Sequence, residues 1–336
     1  MVQEFPARSA TGARGVVHAV SNVSLQIRAG ETVGIVGESG SGKSTLARAV
    51  LGVPPPKSGE VVLKGVNIAG LRRGRMRQHM RDIQMVFQDP YSSVDQKWTV
   101  SKIVGEPLRA FKVGTREERR RRVAEVLDLV GLDPNVYGKR RPRSLSGGQC
   151  QRVAIARALA LSPSLIICDE AVSSLDVLIQ AQVLNLFERL RNELDLAYLF
   201  IAHDLAMVKQ VSDRVAVMYL GKLCEVGPAD EIYRRPRHPY TVALLNSIPD
   251  PDPSRPRVKI DEQISGEPPS PVNPPSGCRF RTRCPRAQEK CAHEVPLLEE
   301  VGTEHSVACH FPVGLEDPAE PESVTSGSLS ANTSDG

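Results

Sequence analysis

The sequence predicts an α/β fold, a mostly parallel sheet covered by helices on both faces, over residues 1–245 of its 336 residues. Three observations favour this fold class. Short, wholly apolar segments such as Leu165–Cys168 are typical of strands that are buried on both faces. Segments with helical periodicity lie between them. A glycine-rich turn joins one of the strands to the helix that follows it.

Strand and helix patterns alternate along the chain, which is the order that parallel βαβ units require. The predicted strands are Val23–Ile27, Glu31–Val36, Leu165–Cys168, Tyr198–Ala202 and Val215–Tyr219. The predicted helices are Thr45–Leu51, Glu118–Val130, Gln149–Leu161 and Val177–Leu194.

Composition and charge exclude several classes of protein. The formal net charge of +4 is nearly balanced, so it does not favour a nucleic-acid partner, and we interpret the arginine-rich patches as solvated surface. No run approaches the ~18 apolar residues of a membrane-spanning helix. Met1–Ala10 has no apolar core of a secretory signal. Seven cysteines without an export signal favour metal binding or burial over a disulfide framework.

The glycine-rich turn is the first motif that indicates chemistry. Gly37–Ser44 reads GESGSGKS and matches G-x-x-x-x-G-K-[ST] between a strand and a helix. The backbone amides of such a loop, and the N-terminus of the helix behind it, bind phosphate. Lys43 would neutralise the β- and γ-phosphates, and Ser44 would be a ligand of Mg²⁺. The pattern predicts a site for a nucleoside triphosphate.

A second motif follows a buried strand. Leu165–Glu170 reads LIICDE, so two carboxylates stand at the carboxyl end of the strand, the edge where open α/β sheets bind ligands. Asp169 is the candidate Mg²⁺ ligand. Glu170 is the candidate general base for an attacking water.

A third motif, Leu145–Gln149, reads LSGGQ and opens a predicted helix. With the other two motifs in this order, residues 1–245 resemble the ATP-binding cassette (ABC) family. The resemblance implies a P-loop NTPase with a RecA-like core, an antiparallel β subdomain and a helical subdomain at about residues 89–160. It also implies that the nucleotide is ATP with Mg²⁺.

The resemblance assigns roles to individual residues. Gln88, in VFQDP, matches the Q-loop glutamine at Mg²⁺, and His203 matches the switch histidine at the γ-phosphate, so both join Glu170 in the expected catalytic set. Phe5 matches the aromatic residue that stacks on adenine. The remaining residues expected to bind nucleotide are Gly37, Ser39, Gly40, Ser41, Gly42, Lys43, Ser44, Thr45, Ser146, Gly148, Gln149 and Asp176. Two positions depart from the family pattern: Ala171 replaces a common proline, and Cys150 replaces a long polar residue, which we expect to weaken contacts of the signature helix.

The resemblance also implies partners. In this family the signature helix caps ATP bound to a second cassette, so one P-loop and one signature imply a dimer. Segments such as VFQDPYSS and RHPYTVALL are similar to the oligopeptide/dipeptide importer ATPases, and to their F-type subunit in particular. This implies a heterodimer with a D-type subunit, on two transmembrane permeases at the cytoplasmic face of the membrane, fed by an extracytoplasmic peptide-binding protein. Importers of nickel, glutathione or opines are the alternative, followed by an ABC ATPase outside transport.

Four cysteines cluster near the end of the chain. Cys278, Cys284, Cys291 and Cys309 have the spacing C-x₅-C-x₆-C-x₁₇-C. Four thiolates suit Zn²⁺ or an iron–sulfur cluster. The resemblance to cluster-bearing importer ATPases favours [4Fe–4S], with zinc and unligated thiols as alternatives. His293, His305 and His310 are possible substitute ligands.

Composition divides the end of the chain. Nine prolines between Pro249 and Pro275 predict an extended connector. We therefore expect residues 246–312 to form this connector and a small Cys-rich C-terminal extension. Residues 313–336 hold five acidic and no basic residues, which predicts a disordered acidic tail.

Overall fold

The computed structural model describes residues 1–8, 14–247 and 266–314. The last of these ranges is called the C-terminal segment below. The strands in the described residues are β1 Gln3–Arg8, β2 Arg14–Val20, β3 Thr32–Val36, β4 Val62–Leu63, β5 Val66–Asn67, β6 Ile83–Val86, β7 Leu165–Asp169, β8 Ala197–Ile201, β9 Arg214–Tyr219, β10 Lys222–Pro228, β11 Glu299–Gly302 and β12 His305–Val307.

The helices fill the intervals between these strands and flank the sheet. They are α1 Lys43–Val50, α2 Arg73–His79, α3 Val100–Val104, α4 Glu106–Ala110, α5 Arg116–Leu129, α6 Pro134–Tyr137, α7 Gly147–Leu159, α8 Val177–Leu194, α9 Leu205–Val211, α10 Ala229–Arg234, α11 Pro239–Asn246 and α12 Glu289–His293, with a 3₁₀ turn at Pro142–Ser144. No helix among them is long and apolar enough to cross a bilayer.

The central sheet has eight strands in the order β11-β12-β10-β9-β3-β8-β7-β6. Five of them, from β9 to β6, are parallel, and both β3 and β8 are buried along their whole length. Parallel strands covered by helices need apolar residues on both faces. One face carries the core cluster of α3, α5, α7 and α8, and the other packs on Leu46 and Ala47 of α1. The predicted mixed α/β class is confirmed.

The predicted elements hold with small shifts, apart from one strand. Val23–Ile27 was expected to pair in a sheet, and this is wrong: the structure assigns it no strand. Its burial alternates as the pattern requires, with Val23 buried. Alternating burial indicates an extended segment lying on a core, but ladder pairing also needs a partner strand within hydrogen-bond reach.

The C-terminal segment joins the sheet directly. Strand β12 pairs antiparallel with β10, and β11 pairs with β12. Its first residues, 266–275, are irregular, and Pro271 accepts a hydrogen bond from the amide of His18 on β2 (3.0 Å). Residues 248–265 of the expected connector and residues 315–336 of the predicted tail lie outside the described residues. The first two residues of that tail, Val313 and Gly314, accept hydrogen bonds from the Arg237 guanidinium through their carbonyl oxygens.

Candidate nucleotide site

The glycine-rich loop leaves β3 and turns sharply into α1. Gly37 and Gly42 have φ values of +150° and +104°. A Cβ atom would stand 2.1 Å from the carbonyl oxygen of Met218 at Gly37, and 2.1 Å from that of Ala19 at Gly42. Glycine is required at both positions because the backbone conformation and the close approach exclude any side chain.

Lys43 occupies the centre of this loop. Its ammonium donates to the carbonyl oxygens of Gly37 (2.7 Å) and Glu38 (3.0 Å), and the residue is only 5% exposed. Burial lowers the pKa of Lys43, and the charges of Glu170, Asp169 and Glu38 oppose that shift. A buried cation surrounded by backbone oxygens and carboxylates is suited to meet a polyphosphate.

Two of the three residues expected to bind Mg²⁺, Ser44 and Asp169, meet beside the loop. The Ser44 hydroxyl, at the start of α1, donates to Asp169 Oδ1 at the end of β7 (2.8 Å). The oxygen donors of this pair are those that Mg²⁺ prefers, so the residues fit the ion. Folding brings together two residues that are 125 positions apart in the sequence.

The three residues expected to carry out hydrolysis also converge. The Gln88 amide donates to Glu170 Oε2 (2.8 Å), and His203 Nδ1 lies 3.9 Å from Glu170 Oε1. Glu170 has a left-handed backbone, with φ of +51°. Its amide donates to Ile201 O (2.9 Å), and its carbonyl accepts from the hydroxyl of Ser173 (2.9 Å). These bonds hold the left-handed backbone of Glu170 in place.

The signature segment, Leu145–Gln149, forms the N-terminus of α7. Ser146 is the N-cap: its hydroxyl accepts from the Gln149 amide (3.3 Å), and the Gln149 side chain accepts in turn from the Ser146 amide (3.1 Å). Such a capping box leaves further amides of the first turn free. Ser146 is exposed and Gly148 is buried against Ile179.

Comparison with known proteins places this site in a family. The family model described as ABC transporter matches residues 20–173, and the model described as oligopeptide/dipeptide transporter, C-terminal region, matches residues 224–291. The oligopeptide transport ATP-binding protein OppF of Salmonella typhimurium is 51% identical over 292 residues, which cover 87% of each chain. The di/tripeptide transport ATP-binding protein DppF of Pseudomonas aeruginosa is 47% identical over 296 residues, covering 88% of this chain and 90% of the relative.

The chain belongs to the oligopeptide/dipeptide family of ABC transporter ATP-binding subunits. Both relatives carry F-type names, as the resemblance predicts. Among solved structures, the ATP-binding cassette MJ0796 bound to ADP and Pi, in a post-hydrolysis state, superimposes with a TM-score of 0.60 at 30% identity, covering 68% of this chain and 96% of that one. CbiO1 of Clostridium perfringens gives 0.59 at 28% identity, covering 70% and 90%.

Other residues that the resemblance expects to bind nucleotide lie in three places. Ser39, Ser41 and Thr45 belong to the P-loop and α1, and Ser41 O accepts from the amide of Gly221 (2.8 Å). Asp176 caps α8 by accepting from the Ile179 amide (3.0 Å). Phe5 lies on β1 opposite Val17 and is partly exposed. Its contact with adenine stays a prediction.

Cys150, which departs from the family pattern, lies in the first turn of α7 and contacts the Q-loop segment. It is fully buried, and its thiol donates to the carbonyl oxygen of Pro90 (3.6 Å) in the segment that follows Gln88. Burial raises the pKa of Cys150 to about 11. Nearby, the Tyr91 hydroxyl donates to Leu145 O (3.0 Å). The Q-loop segment and the signature segment are thus joined by direct contacts.

Two residues that sequence reasoning missed bind the second residue of the P-loop. The Tyr240 hydroxyl accepts from the amide of Glu38 (2.8 Å). The Arg283 guanidinium donates to both carboxylate oxygens of Glu38 (2.8 and 3.1 Å). These contacts span 202 and 245 positions, so no local pattern announces them.

The four cysteines of the C-terminal segment are neighbours in space. The thiols of Cys284 and Cys309 interact electrostatically with those of Cys278 and Cys291. Burial raises the pKa of Cys284 to about 11 and that of Cys309 to about 12. Within the described residues, no three His, Cys, Asp or Glu side chains are close enough to hold a single metal ion.

Two of the histidines considered as substitute ligands, His305 and His310, have other partners. His305 Nε2 is 2.7 Å from Glu225 Oε1, and both residues are buried. His310 Nε2 is 3.1 Å from the carbonyl oxygen of Glu294.

Proposed function

We propose that this chain is the ATP-hydrolysing subunit that energises an ABC importer of oligopeptides or dipeptides. One observation carries the ATPase: the P-loop, the Ser44–Asp169 pair and the Gln88–Glu170 pair meet at one edge of the sheet. In the proposed reaction, water attacks the γ-phosphorus, its proton passes to the Glu170 carboxylate, and the bond to the β-phosphate oxygen breaks to leave ADP. Ser44, Asp169 and Gln88 would hold Mg²⁺, which neutralises charge on the phosphates.

The other residues of the site orient the reactants. Gln88 and His203 both face the Glu170 carboxylate, so they can align water and the γ-phosphate with the base. Lys43 and the P-loop amides bind the phosphates. The resemblance adds Ser39, Ser41, Thr45 and Phe5 as further contacts to the nucleotide.

Transport is supported by the relatives, whose names specify oligopeptide and di/tripeptide transport. No helix of the described residues can cross a membrane. We therefore propose that two permease subunits supply the pathway, that a peptide-binding protein delivers substrate to them, and that this chain docks on their cytoplasmic side.

We further propose a heterodimer with a D-type cassette. The N-terminus of α7, where Ser146 is exposed, would cap ATP bound to that partner through Ser146, Gly148 and Gln149. Val177 and Leu178, just after Asp176, are 78% and 77% exposed. We propose that these two exposed apolar side chains, next to the N-cap of α8, contact the partner cassette.

We propose that the four clustered thiols hold a [4Fe–4S] cluster. The mutual electrostatic interaction of the four thiols supports a shared metal centre, and four thiolates suit either an iron–sulfur cluster or zinc. The resemblance to cluster-bearing importer ATPases is what favours the cluster over zinc. The proposed domains are the cassette at 1–245, with its helical part at about 89–160, and the extension at 246–312.

The importer is tested by co-purification with its permeases and by ATP hydrolysis in proteoliposomes. We expect the peptide-loaded binding protein to stimulate ATP hydrolysis. The binding protein without ligand, or supplied with nickel, glutathione or an opine in place of peptide, should stimulate it less. Recovery on ribosomes or DNA, without permeases, would refute transport.

The cluster is tested on protein purified without oxygen. We expect iron, sulfide and visible charge-transfer absorbance in the parent, and their loss in Cys284→Ser. Cys150→Ala, outside the C-terminal segment, is the matched control and should keep them. Colourless parent protein with stoichiometric zinc would refute the cluster.

A further inference from the structure

The C-terminal segment reaches the P-loop through one ion pair. Arg283, the residue before Cys284, makes a two-pronged contact with the Glu38 carboxylate, at 2.8 and 3.1 Å. The Arg283 side chain is 9% exposed and that of Glu38 is 28% exposed. Paired geometry and partial burial make such a contact both stronger and more directional than a surface salt bridge.

Glu38 is held by all of its polar groups. Its carboxylate is bound by Arg283, its amide donates to Tyr240, and its carbonyl accepts from Lys43 (3.0 Å) and from the Ser41 amide (3.1 Å). Tyr240, from outside the loop, orients the peptide group that carries the Glu38 amide, while Ser41 and Lys43 within the loop bind the Glu38 carbonyl. These two peptide groups include the Gly37 and Glu38 carbonyl oxygens that accept from the Lys43 ammonium.

Arg283 is itself fixed by an apolar anchor. Phe280 is 1% exposed and packs on Tyr219 and Tyr240, with ring centroids 5.3 Å apart in each case. Arg279, one residue before Phe280, makes a second polar contact: it donates to Leu220 O and to Ser21 Oγ (2.9 Å). Gly221, which follows Leu220, donates through its amide to Ser41 O of the P-loop (2.8 Å). Two routes thus connect the segment to the loop.

We propose that Arg283 is a positioning residue of the ATP site, which acts on nucleotide affinity through Glu38. It keeps the loop in its phosphate-binding form and neutralises a carboxylate that would otherwise repel the phosphates. The Cys-rich segment is then part of the nucleotide site. The inference requires only that the chain binds ATP, and not that it transports peptides.

The test is a double-mutant cycle on the full chain, read as the dissociation constant for MgATP. Arg283→Gln should raise that constant about tenfold, equivalent to ~1.4 kcal/mol. In the Glu38→Gln background, the same substitution should change it by less than about twofold, because the carboxylate that Arg283 holds is gone. Arg283→Lys, which keeps the charge and loses the two-pronged geometry, should fall between.

Further readouts separate positioning from a merely structural role. KM for ATP should rise with the dissociation constant, while kcat at saturating ATP stays within about twofold. Arg281→Gln is the matched control, since Arg281 bonds to Ser276 within the same segment. It should leave ATP affinity unchanged. Tyr240→Phe removes only the acceptor of the Glu38 amide, so it tests the same loop if Arg283→Gln does not fold.

Three results would overturn the inference. Arg283→Gln could bind MgATP like the parent protein, even with a lowered melting temperature. It could weaken binding equally in the Glu38→Gln background, which would indicate action on the phosphates themselves. Arg281→Gln could weaken binding as much, which would indicate general damage to the segment. If nucleotide binding is absent from the parent chain, the ATP site fails instead.

Discussion

Replacing Glu170 by glutamine separates its chemical role from its structural one. The amide is isosteric with the carboxylate, and its oxygen can still accept from the Gln88 side chain. The bonds that fix the backbone, to Ile201 and Ser173, involve main-chain atoms of residue 170 and are not touched. Glu170→Gln therefore removes basicity and charge while the geometry stays.

The expected loss can be estimated from that separation. A positioned general base contributes about 10² to 10⁴ to a rate, or about 2.7–5.5 kcal/mol of activation free energy. Orientation by Gln88 survives, so the loss should lie inside this range and not beyond it. Affinity for ATP should change by less than about threefold, because Lys43 and the P-loop keep their contacts. Burial lowers the pKa of Lys43 and the Glu170 charge opposes that shift, so removing this charge should lower the pKa of Lys43 further.

The assay is steady-state phosphate release, with MgATP binding measured on the same preparation. Glu193→Gln is the control, because Glu193 pairs with Arg189 on the exposed side of α8. We expect the control to match the parent protein in both measurements. If Glu170→Gln hydrolyses ATP within about threefold of the parent rate, Glu170 is not the general base.

Three more perturbations follow from the geometry. Ser44→Ala removes a Mg²⁺ ligand and the donor to Asp169, so the Mg²⁺ concentration for half-maximal hydrolysis should rise at least about tenfold; an unchanged magnesium titration would contradict the assignment. Ser146→Ala removes the N-cap of α7 and should lower the free energy of unfolding by about 1 kcal/mol in urea, and an unchanged midpoint would count against the capping box. Burial lowers the pKa of His238 to about 4, so this side chain takes up a proton at a higher pH in the unfolded chain than in the folded one. The free energy of unfolding should therefore fall by about 2 kcal/mol as the pH is lowered from 7 to 5. His238→Asn keeps an acceptor for the Tyr240 amide and should abolish that part of the pH dependence; an unaltered slope would assign it to other groups.

The catalytic edge is predictable because each of its residues sits in a local pattern. Lys43 follows a strand and a glycine-rich turn, and Asp169 and Glu170 end a buried apolar strand. Parallel strands then bring these ends to the same edge of the sheet, with β8 between β3 and β7, and the Ser44–Asp169 bond closes that gap. Pairing is less predictable: Val23–Ile27 has the right alternation, yet the pattern does not encode whether a partner strand lies beside it.

The contacts around Glu38 show why the rest of the site is not readable from local patterns. Arg283 and Tyr240 are ordinary residues in their own segments, and both contact the loop in the fold, where Phe280 packs on Tyr219. From the sequence alone, the acidic side chain of Glu38 in the P-loop would be expected to be solvated and to repel phosphate. In the fold, the guanidinium of Arg283 binds the Glu38 carboxylate and offsets its negative charge. Nucleotide affinity should therefore depend on a segment that carries none of the ATP-binding motifs, and the Arg283–Glu38 cycle measures that dependence directly.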